Sequence, residues 1–227
     1  MERLEGRAKM HIAAITPLKL NSSRLPGKNF LDLGQGIPMC WHALKAVRSL
    51  KESGDICDVF AYGEAGIKDK LPAGIEHIEE SAAPNVQDGN DLFSSMASLL
   101  PTCTDILFFN CTSPFVRRET YLKAIDAVMY GPYDSACSCI DIRGRMWNDV
   151  QPILHDPCRC MPTQNQEPIH LESEAFWIVS RAAALQHRRV GFAPRWIPVC
   201  GAEAIDINTP DDLAFAHIVW KGIQCES

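Results

Sequence analysis

The chain has no run approaching the ~18 to 20 apolar residues that a membrane-spanning helix needs. Its opening, Met1 to Lys9, is charged throughout and leads into no apolar signal region. Both absences set the expectation of a cytoplasmic protein with no membrane partner. Basic charge is in deficit: 22 Lys and Arg stand against 28 Asp and Glu, a formal net charge of −6. A nucleic-acid partner needs a broad basic face, so none is expected. The Cys-x-x-Cys knuckle of structural zinc is also missing, although there are ten cysteines. In a reducing compartment these read as free thiols, mostly core filler. Cys137 and Cys139 alternate along an expected strand and so face one side of it. With Cys158, Cys160 and His155 they make an imaginable zinc set, but an irregular one. Internal repeats are absent.

What is present is an alternation of strand and helix patterns. At 227 residues, 46% of them hydrophobic, the chain is expected to fold as one α/β domain over 1–227. Strands are expected at Ile12–Thr16, Asp58–Tyr62, Ile75–Ile78, Asp105–Cys111, Ser135–Ile140, Ala175–Val179, Trp196–Val199 and Ala204–Ile207. Helices are expected at Pro38–Ser53, Ala65–Lys70, Asn90–Leu100, Glu119–Tyr130, Arg181–Gln186 and Thr209–Lys221. Trp41, Leu44, Ala46, Val47 and Leu50 form the apolar side of the first of these. Asp88 or Asn90 starts the third helix and Pro101 stops it. The unbroken apolar run Ile106-Leu107-Phe108-Phe109 suits a central parallel strand covered on both faces. The pattern therefore predicts a three-layer α/β sandwich with a mainly parallel sheet. Between Asp141 and Leu171 periodicity fails, as expected of a lid or dimer arm inside a regular domain.

Four stretches carry the candidate chemistry. After the first strand comes Pro17-Leu18-Lys19-Leu20-Asn21-Ser22-Ser23-Arg24-Leu25-Pro26-Gly27-Lys28-Asn29, a loop with three cations, two serines and one Pro-Gly. Such a loop at the carboxyl end of a parallel strand can cradle phosphates with its N–H groups and cations. The same residues also suit a solvated surface connection. Asn110-Cys111-Thr112-Ser113-Pro114 follows the central strand, where an amide and two hydroxyls can recognise a polyhydroxylated or carboxylated acceptor. A helix entry capped by Thr112 or Ser113 with Pro114 at its first position explains those residues too. Asp206 and Asn208 alternate, so both can reach one hard cation; alternatively Asn208 only begins a turn. Arg159 with Gln164, Asn165 and Gln166, followed by Glu172 to Trp177, can contact an anionic substrate or form a solvated loop.

Together these stretches resemble the cytidylyltransferases that activate acidic sugars, the acylneuraminate (CMP-sialic acid) and CMP-KDO synthetases. Pro17, Ser22, Arg24, Leu25, Pro26, Gly27 and Lys28 match the opening loop of the KDO branch, and Asn29 that of the sialate branch. Thr112, Ser113 and Pro114 match the sialate-type Q-P-T-S-P. Tyr133-Asp134-Ser135-Ala136 resembles Y-D-S-V, and Asp206 to Leu213 resembles D-I-D-T-x-x-D-L. The matches run in order across residues 12 to 216.

The resemblance implies a nucleotide-diphospho-sugar transferase-like, Rossmann-like fold. It also implies transfer of CMP from CTP to an acidic sugar, with pyrophosphate leaving. Leu18, Lys19, Asn21, Ser22, Ser23, Arg24 and Lys28 would then bind the nucleotide, with Lys19, Lys28 and Asp206 catalytic. Asp206 and Asn208 would hold Mg²⁺. Asn110, Thr112, Ser113, Arg159 and Gln164 would hold the acceptor. A homodimer with residues 141–171 as its arm is implied as well. A non-catalytic nucleotide- or sugar-binding relative, or a different acceptor such as a phosphonate, is the alternative.

The chain departs from the family at several positions. Lys19 stands for arginine, Leu18, Leu20 and Asn21 for small residues, Asn110 for glutamine and Asn208 for a second aspartate. No base-reading arginine accompanies Ile78-Glu79-Glu80, and the usual asparagine-glycine pair is lost around Ser173-Glu174-Ala175.

Overall fold

The computed structural model describes residues 11–80, 88–100, 103–153 and 155–225. In chain order its elements are β1 (Ile12–Pro17), β2 (Asp32–Gly34), β3 (Ile37–Pro38), α1 (Met39–Glu52), β4 (Asp58–Gly63), β5 (Glu76–Glu79), α2 (Gly89–Leu99) and β6 (Asp105–Phe109). There follow α3 (Arg118–Tyr130), β7 (Ser135–Ile142), β8 (Met146–Trp147), β9 (Pro152–Ile153), β10 (Ile169–Ser180), α4 (Arg181–Ala184), β11 (Pro194–Pro198) and α5 (Pro210–Cys225). Seven strands form one sheet in the order β11-β7-β10-β6-β1-β4-β5. All its pairings are parallel except those of β10, which runs antiparallel to both β6 and β7.

The three layers follow from period-two burial. On β1, Ile12 and Ala14 join the cluster that takes Leu44 and Val47 of α1 and Tyr121 and Ile125 of α3. Ala13 and Ile15 face the other way, toward Phe93 and Met96 of α2 and Ala184 of α4. Leu107 and Phe109 against Ile106 and Phe108 repeat the split on β6, so the unbroken apolar run is buried on both faces. Asp88 starts α2 by accepting the N–H groups of Asn90 at 2.7 Å and Asp91 at 3.0 Å. Pro101, expected to stop that helix, lies outside the described residues.

Four expectations are corrected. Trp41 is not on the apolar side of α1; it is exposed and its Nε1 donates to the Lys70 carbonyl at 2.9 Å. Met39 and Cys40 are buried there instead. Thr112-Ser113-Pro114 forms a turn and no helix entry, since α3 begins at Arg118. Residues 204–207 add no strand: Gly201, at φ +57, turns the chain into a 3₁₀ turn over Gly201–Ala204, away from the ladder. Finally, β10 starts at Ile169, inside the expected irregular stretch, because His170 and Leu171 pair with Asp141 and Ile140 of β7. No helix among the described residues is long and apolar enough to cross a membrane.

Candidate active site

The loop after β1 is shaped by its ends. Leu18 is buried in the core, and its N–H donates to the Tyr62 carbonyl at 2.8 Å. The side chain of Leu18 and its N–H are therefore both taken up by the fold. The Leu18 carbonyl lies so close to β4 that a Cβ on Gly63 would stand 2.1 Å from it. Only glycine fits there. Lys19, Asn21, Ser23 and Arg24 are exposed, with Ser22 half-buried. Leu25 is buried beside Phe115 and Ile207 and so fixes the far end. From it Pro26 and Gly27 make a type II turn: the Lys28 N–H donates to the Leu25 carbonyl at 3.2 Å, and Gly27 has φ +68, ψ 11. Buried Asn29 donates from Nδ2 to the Lys19 carbonyl at 3.0 Å and closes the loop on itself.

The turn delivers Lys28 to the segment before α5. Lys28 Nζ donates to Asn208 Oδ1 at 2.9 Å, and Arg24 Nη2 donates to the same oxygen at 2.8 Å. Asn208 Nδ2 donates to Asp206 Oδ2. Charge fixes this amide orientation, because a flipped amide would set its NH₂ against two cations and its oxygen against a carboxylate. Burial lowers the Lys28 pKa; Asp206 opposes this, and Arg24 adds to it. Lys28 thus has two cations, Arg24 and Lys19, and two carboxylates, Asp206 and Asp212, acting on it.

Asp206 and Asn208 differ in their fitness for a metal. Asp206 Oδ1 is buried and has no hydrogen-bond partner among the described residues. A lone carboxylate oxygen with substrate phosphates is a common Mg²⁺ donor set. Asn208 Oδ1 is already held by two cations, so Asn208 does not serve as a direct ligand in this arrangement. Its place is fixed from behind: the N–H groups of Asn208 and Thr209 donate to Asp212 Oδ2 at 2.9 and 2.8 Å. The Asp212 N–H returns to Thr209 Oγ1 at 3.2 Å, a capping box at the start of α5. The Asn208 N–H, with the Thr209 hydroxyl, holds the Asp212 carboxyl below the usual range.

The acceptor candidates divide. The Ile207 N–H donates to the Thr112 carbonyl at 2.8 Å, which ties the turn after β6 to the Asp206 segment. Asn110, above the end of β6, donates from Nδ2 to the Glu174 carbonyl at 2.7 Å. Glu174 has φ +58. A non-glycine residue held there carries backbone strain, a feature that clusters at ligand sites. Ser113 is 1% exposed, so its hydroxyl lies within the turn rather than at the crevice surface. Arg159 pairs with Asp156 at 3.8 Å inside the excursion, and Gln164 is exposed. Among the described residues, no hydrogen bond or ion pair joins these two to the Lys28 cluster. The imagined zinc set is not assembled either. Cys158 and Cys160 are exposed, and Cys160 Sγ accepts from Arg145 at 2.9 Å.

Glu203 carries a role that the sequence did not signal. This buried carboxylate accepts the Arg117 N–H at 2.9 Å, the Arg117 guanidinium at 3.0 Å and the Thr120 hydroxyl at 2.6 Å. It caps α3 from 83 residues away and anchors the turn that leads to Asp206. Burial pushes the Glu203 pKa up, but these hydrogen bonds outweigh it and hold the pKa below the ordinary value. Glu203→Ala should cost about 2 kcal/mol, mostly from the buried bonds, since the Arg117 side chain is 68% exposed. Because the native pKa is depressed, this stabilisation is present above ~pH 4.3 and is lost as pH falls through the native value. Urea melts of both proteins at neutral pH and in acid check it: the gap should close in acid.

A pocket of about 440 Å³, lined by His11, Ala13, Cys57, Asp58, Phe60, Glu76, Leu100 and Cys103, lies at the amino ends of β1 and β4. In open α/β sheets ligands bind at the opposite, carboxyl end, where Lys28 meets Asn208 and the Asp206 segment is tied to the turn after β6. No protein-family model matches the sequence, and no curated protein matches it. Solved structures do share its fold. A CMP:2-keto-3-deoxy-manno-octonic acid synthetase complexed with CTP superposes with TM-score 0.68 at 14% identity, over 93% of this chain and 99% of that one. The 4-diphosphocytidyl-2C-methyl-D-erythritol synthase of Anaerococcus prevotii gives 0.64 at 13%, over 93% and 96%. The bifunctional IspDF of Campylobacter jejuni gives 0.62 at 14%, over 90% of this chain and 53% of that one. The chain therefore shares the α/β fold of these solved structures.

Proposed function

We propose that the chain is a cytidylyltransferase that moves CMP from CTP to an acidic sugar, releasing pyrophosphate. One observation carries the reading: Arg24 and Lys28 converge on Asn208 beside a partnerless Asp206 oxygen, at the carboxyl end of the sheet. The two carboxylates acting on half-buried Lys28, Asp206 and Asp212, are outnumbered by Lys19, Arg24 and Lys28 itself, and a triphosphate supplies further negative charge. Lys19, Arg24 and Lys28, with exposed Asn21, Ser22 and Ser23, hold the phosphates. An acceptor oxygen attacks the α-phosphorus, the bond to the bridging oxygen breaks, and pyrophosphate leaves with that oxygen. Lys28 neutralises charge at the α-phosphate in the transition state. Asp206 Oδ1 would hold Mg²⁺, which, when bound, supplies Lewis-acid charge neutralisation and makes the acceptor hydroxyl more acidic. Asn110 and the Thr112 turn orient the acceptor, with Arg159 and Gln164 reaching it from the excursion. A cytoplasmic location suits the supply of CTP. Exposed Trp147, Val150, Met161 and Leu171 support the excursion, residues 141–171, as the arm of a homodimer.

A single observation favours a second reading, nucleotide binding without turnover: Asn208 replaces a carboxylate and turns its oxygen toward cations. Pyrophosphate release with CTP and Mg²⁺ separates the two. The acceptor panel is sialic acid, KDO, related nonulosonates, a phosphonate and a methylerythritol phosphate. Release with an acidic sugar supports the proposal. CTP binding without release from any acceptor supports the second reading.

The affinity for CTP should fall as pH rises through the lowered Lys28 pKa, because only the charged ammonium holds phosphate. Calorimetric titration across the alkaline range checks this, with Lys28→Arg flattening the profile.

A further inference from the structure

At the neck of the excursion, away from the crevice, three ligand-bearing side chains meet. Asp141 on β7 and His170 on β10 are direct cross-strand partners, with His170 Nδ1 2.8 Å from Asp141 Oδ1. Cys139, two residues earlier on the same face, has its Sγ 3.6 Å from Asp141 Oδ1 and 3.7 Å from His170 Nδ1. Among the described residues this is the one His, Cys, Asp and Glu group whose ligand atoms gather closely enough to hold a metal ion. Tetrahedral zinc, with ligand bonds of about 2.0 to 2.3 Å, separates its ligand atoms by roughly 3.3 to 3.6 Å. The sulfur–oxygen distance of 3.6 Å fits, and the sulfur–nitrogen distance of 3.7 Å is about 0.1 Å long. The nitrogen–oxygen pair must open by about half an ångström, a small rotation for side chains with 33% and 29% exposure. The Trp196 ring stacks on the imidazole, with centroids 5.8 Å apart, and limits its plane. A cross-strand ion pair accounts for Asp141 and His170, but not for a thiol set against the same two atoms.

We propose that Cys139, Asp141 and His170 bind one zinc-class divalent cation, with water in the fourth position, which staples the neck of the excursion. A sulfur, a nitrogen and an oxygen suit zinc, whereas Mg²⁺ prefers oxygen alone. The site is therefore chemically distinct from Asp206. It is also remote: along β10, His170 lies five residues from Ala175, which binds the Asn110 N–H, or roughly 17 Å at ~3.4 Å per residue. The buried sulfur forms the floor and the half-exposed pair forms the entrance. Burial and Asp141 push the Cys139 thiol up to about 12. The metal-free site thus holds a neutral thiol, and on binding its proton passes to water while the sulfur bonds the metal.

Cobalt titration of the metal-free, reduced, full-length chain tests the proposal. The expected result is one equivalent bound, with a thiolate-to-cobalt charge-transfer band and tetrahedral d–d bands, both lost when zinc is added. Cys139→Ser should abolish the charge-transfer band. His170→Ala, an exposed change that keeps the test decisive if the serine variant misfolds, should weaken cobalt binding at least about tenfold. The double variant Cys158→Ser/Cys160→Ser should keep the spectrum. The proposal is overturned if the folded wild type gives no such band. It is overturned equally if the band survives Cys139→Ser or His170→Ala unchanged, or disappears in the double variant.

Discussion

Lys28→Ala is expected to lower turnover by about a hundredfold or more, near 3 kcal/mol of transition-state stabilisation, with the fold intact. The size follows from position. Lys28 is half-buried at the end of a type II turn, and its ammonium meets the Asn208 oxygen, the Ile207 carbonyl and the field of Asp206. In such a partly desolvated site a single positive charge on the transferring phosphoryl group is worth far more than in water. The fold should persist because Asn208 keeps Arg24 as a donor and its backbone keeps Asp212. Leu25 and Asn29 still pin the loop. Steady-state kinetics beside a urea melt separates the effects; unchanged turnover in a folded variant would remove this loop from the mechanism.

Asp206→Ala carries the second large effect. It removes the partnerless oxygen and leaves Asn208 Nδ2 without its acceptor, so the variant should lose its response to magnesium altogether. Turnover should drop by about two to three orders of magnitude at any metal concentration. The loss should lie in kcat as well as in CTP affinity, since a metal held by Asp206 would neutralise charge as it develops. Titration of activity with Mg²⁺, before and after EDTA, reads this out. Wild-type turnover indifferent to EDTA contradicts the metal assignment.

What the sequence disclosed and what it hid follow one division, between local and distant causes. Asp88 before α2 and Thr209-Pro210-Asp211-Asp212 before α5 are caps that act within four residues, and both elements begin there. The apolar run of β6 needs only its own composition to be recognised as buried on both faces. Thr112-Ser113-Pro114 misleads because it is equally good turn and cap chemistry. The real start of α3 depends on Glu203, far along the chain. The first half of β10 is hidden by His170, Glu172 and Glu174, which read as loop residues. Pairing with β7 makes His170 and Glu172 strand, while Glu174, with a left-handed backbone, lies in the register shift between Glu172 and Trp177. The convergence on Asn208 was legible only in part. Arg24, Lys28 and Asp206 were identifiable as chemistry, but the orientation of the Asn208 amide is set by two cations folded over it. Gly63 gave no signal and Asn29 only a motif match without its role, because a close backbone approach and a loop clamp exist only in three dimensions.

A crystal structure of the chain with CTP and Mg²⁺ tests the central claim most directly. The account predicts the triphosphate at the carboxyl end of β1, with phosphate oxygens on Arg24 and Lys28 and the metal on Asp206 Oδ1. A nucleotide bound elsewhere, such as the pocket at the amino ends of β1 and β4, would contradict it.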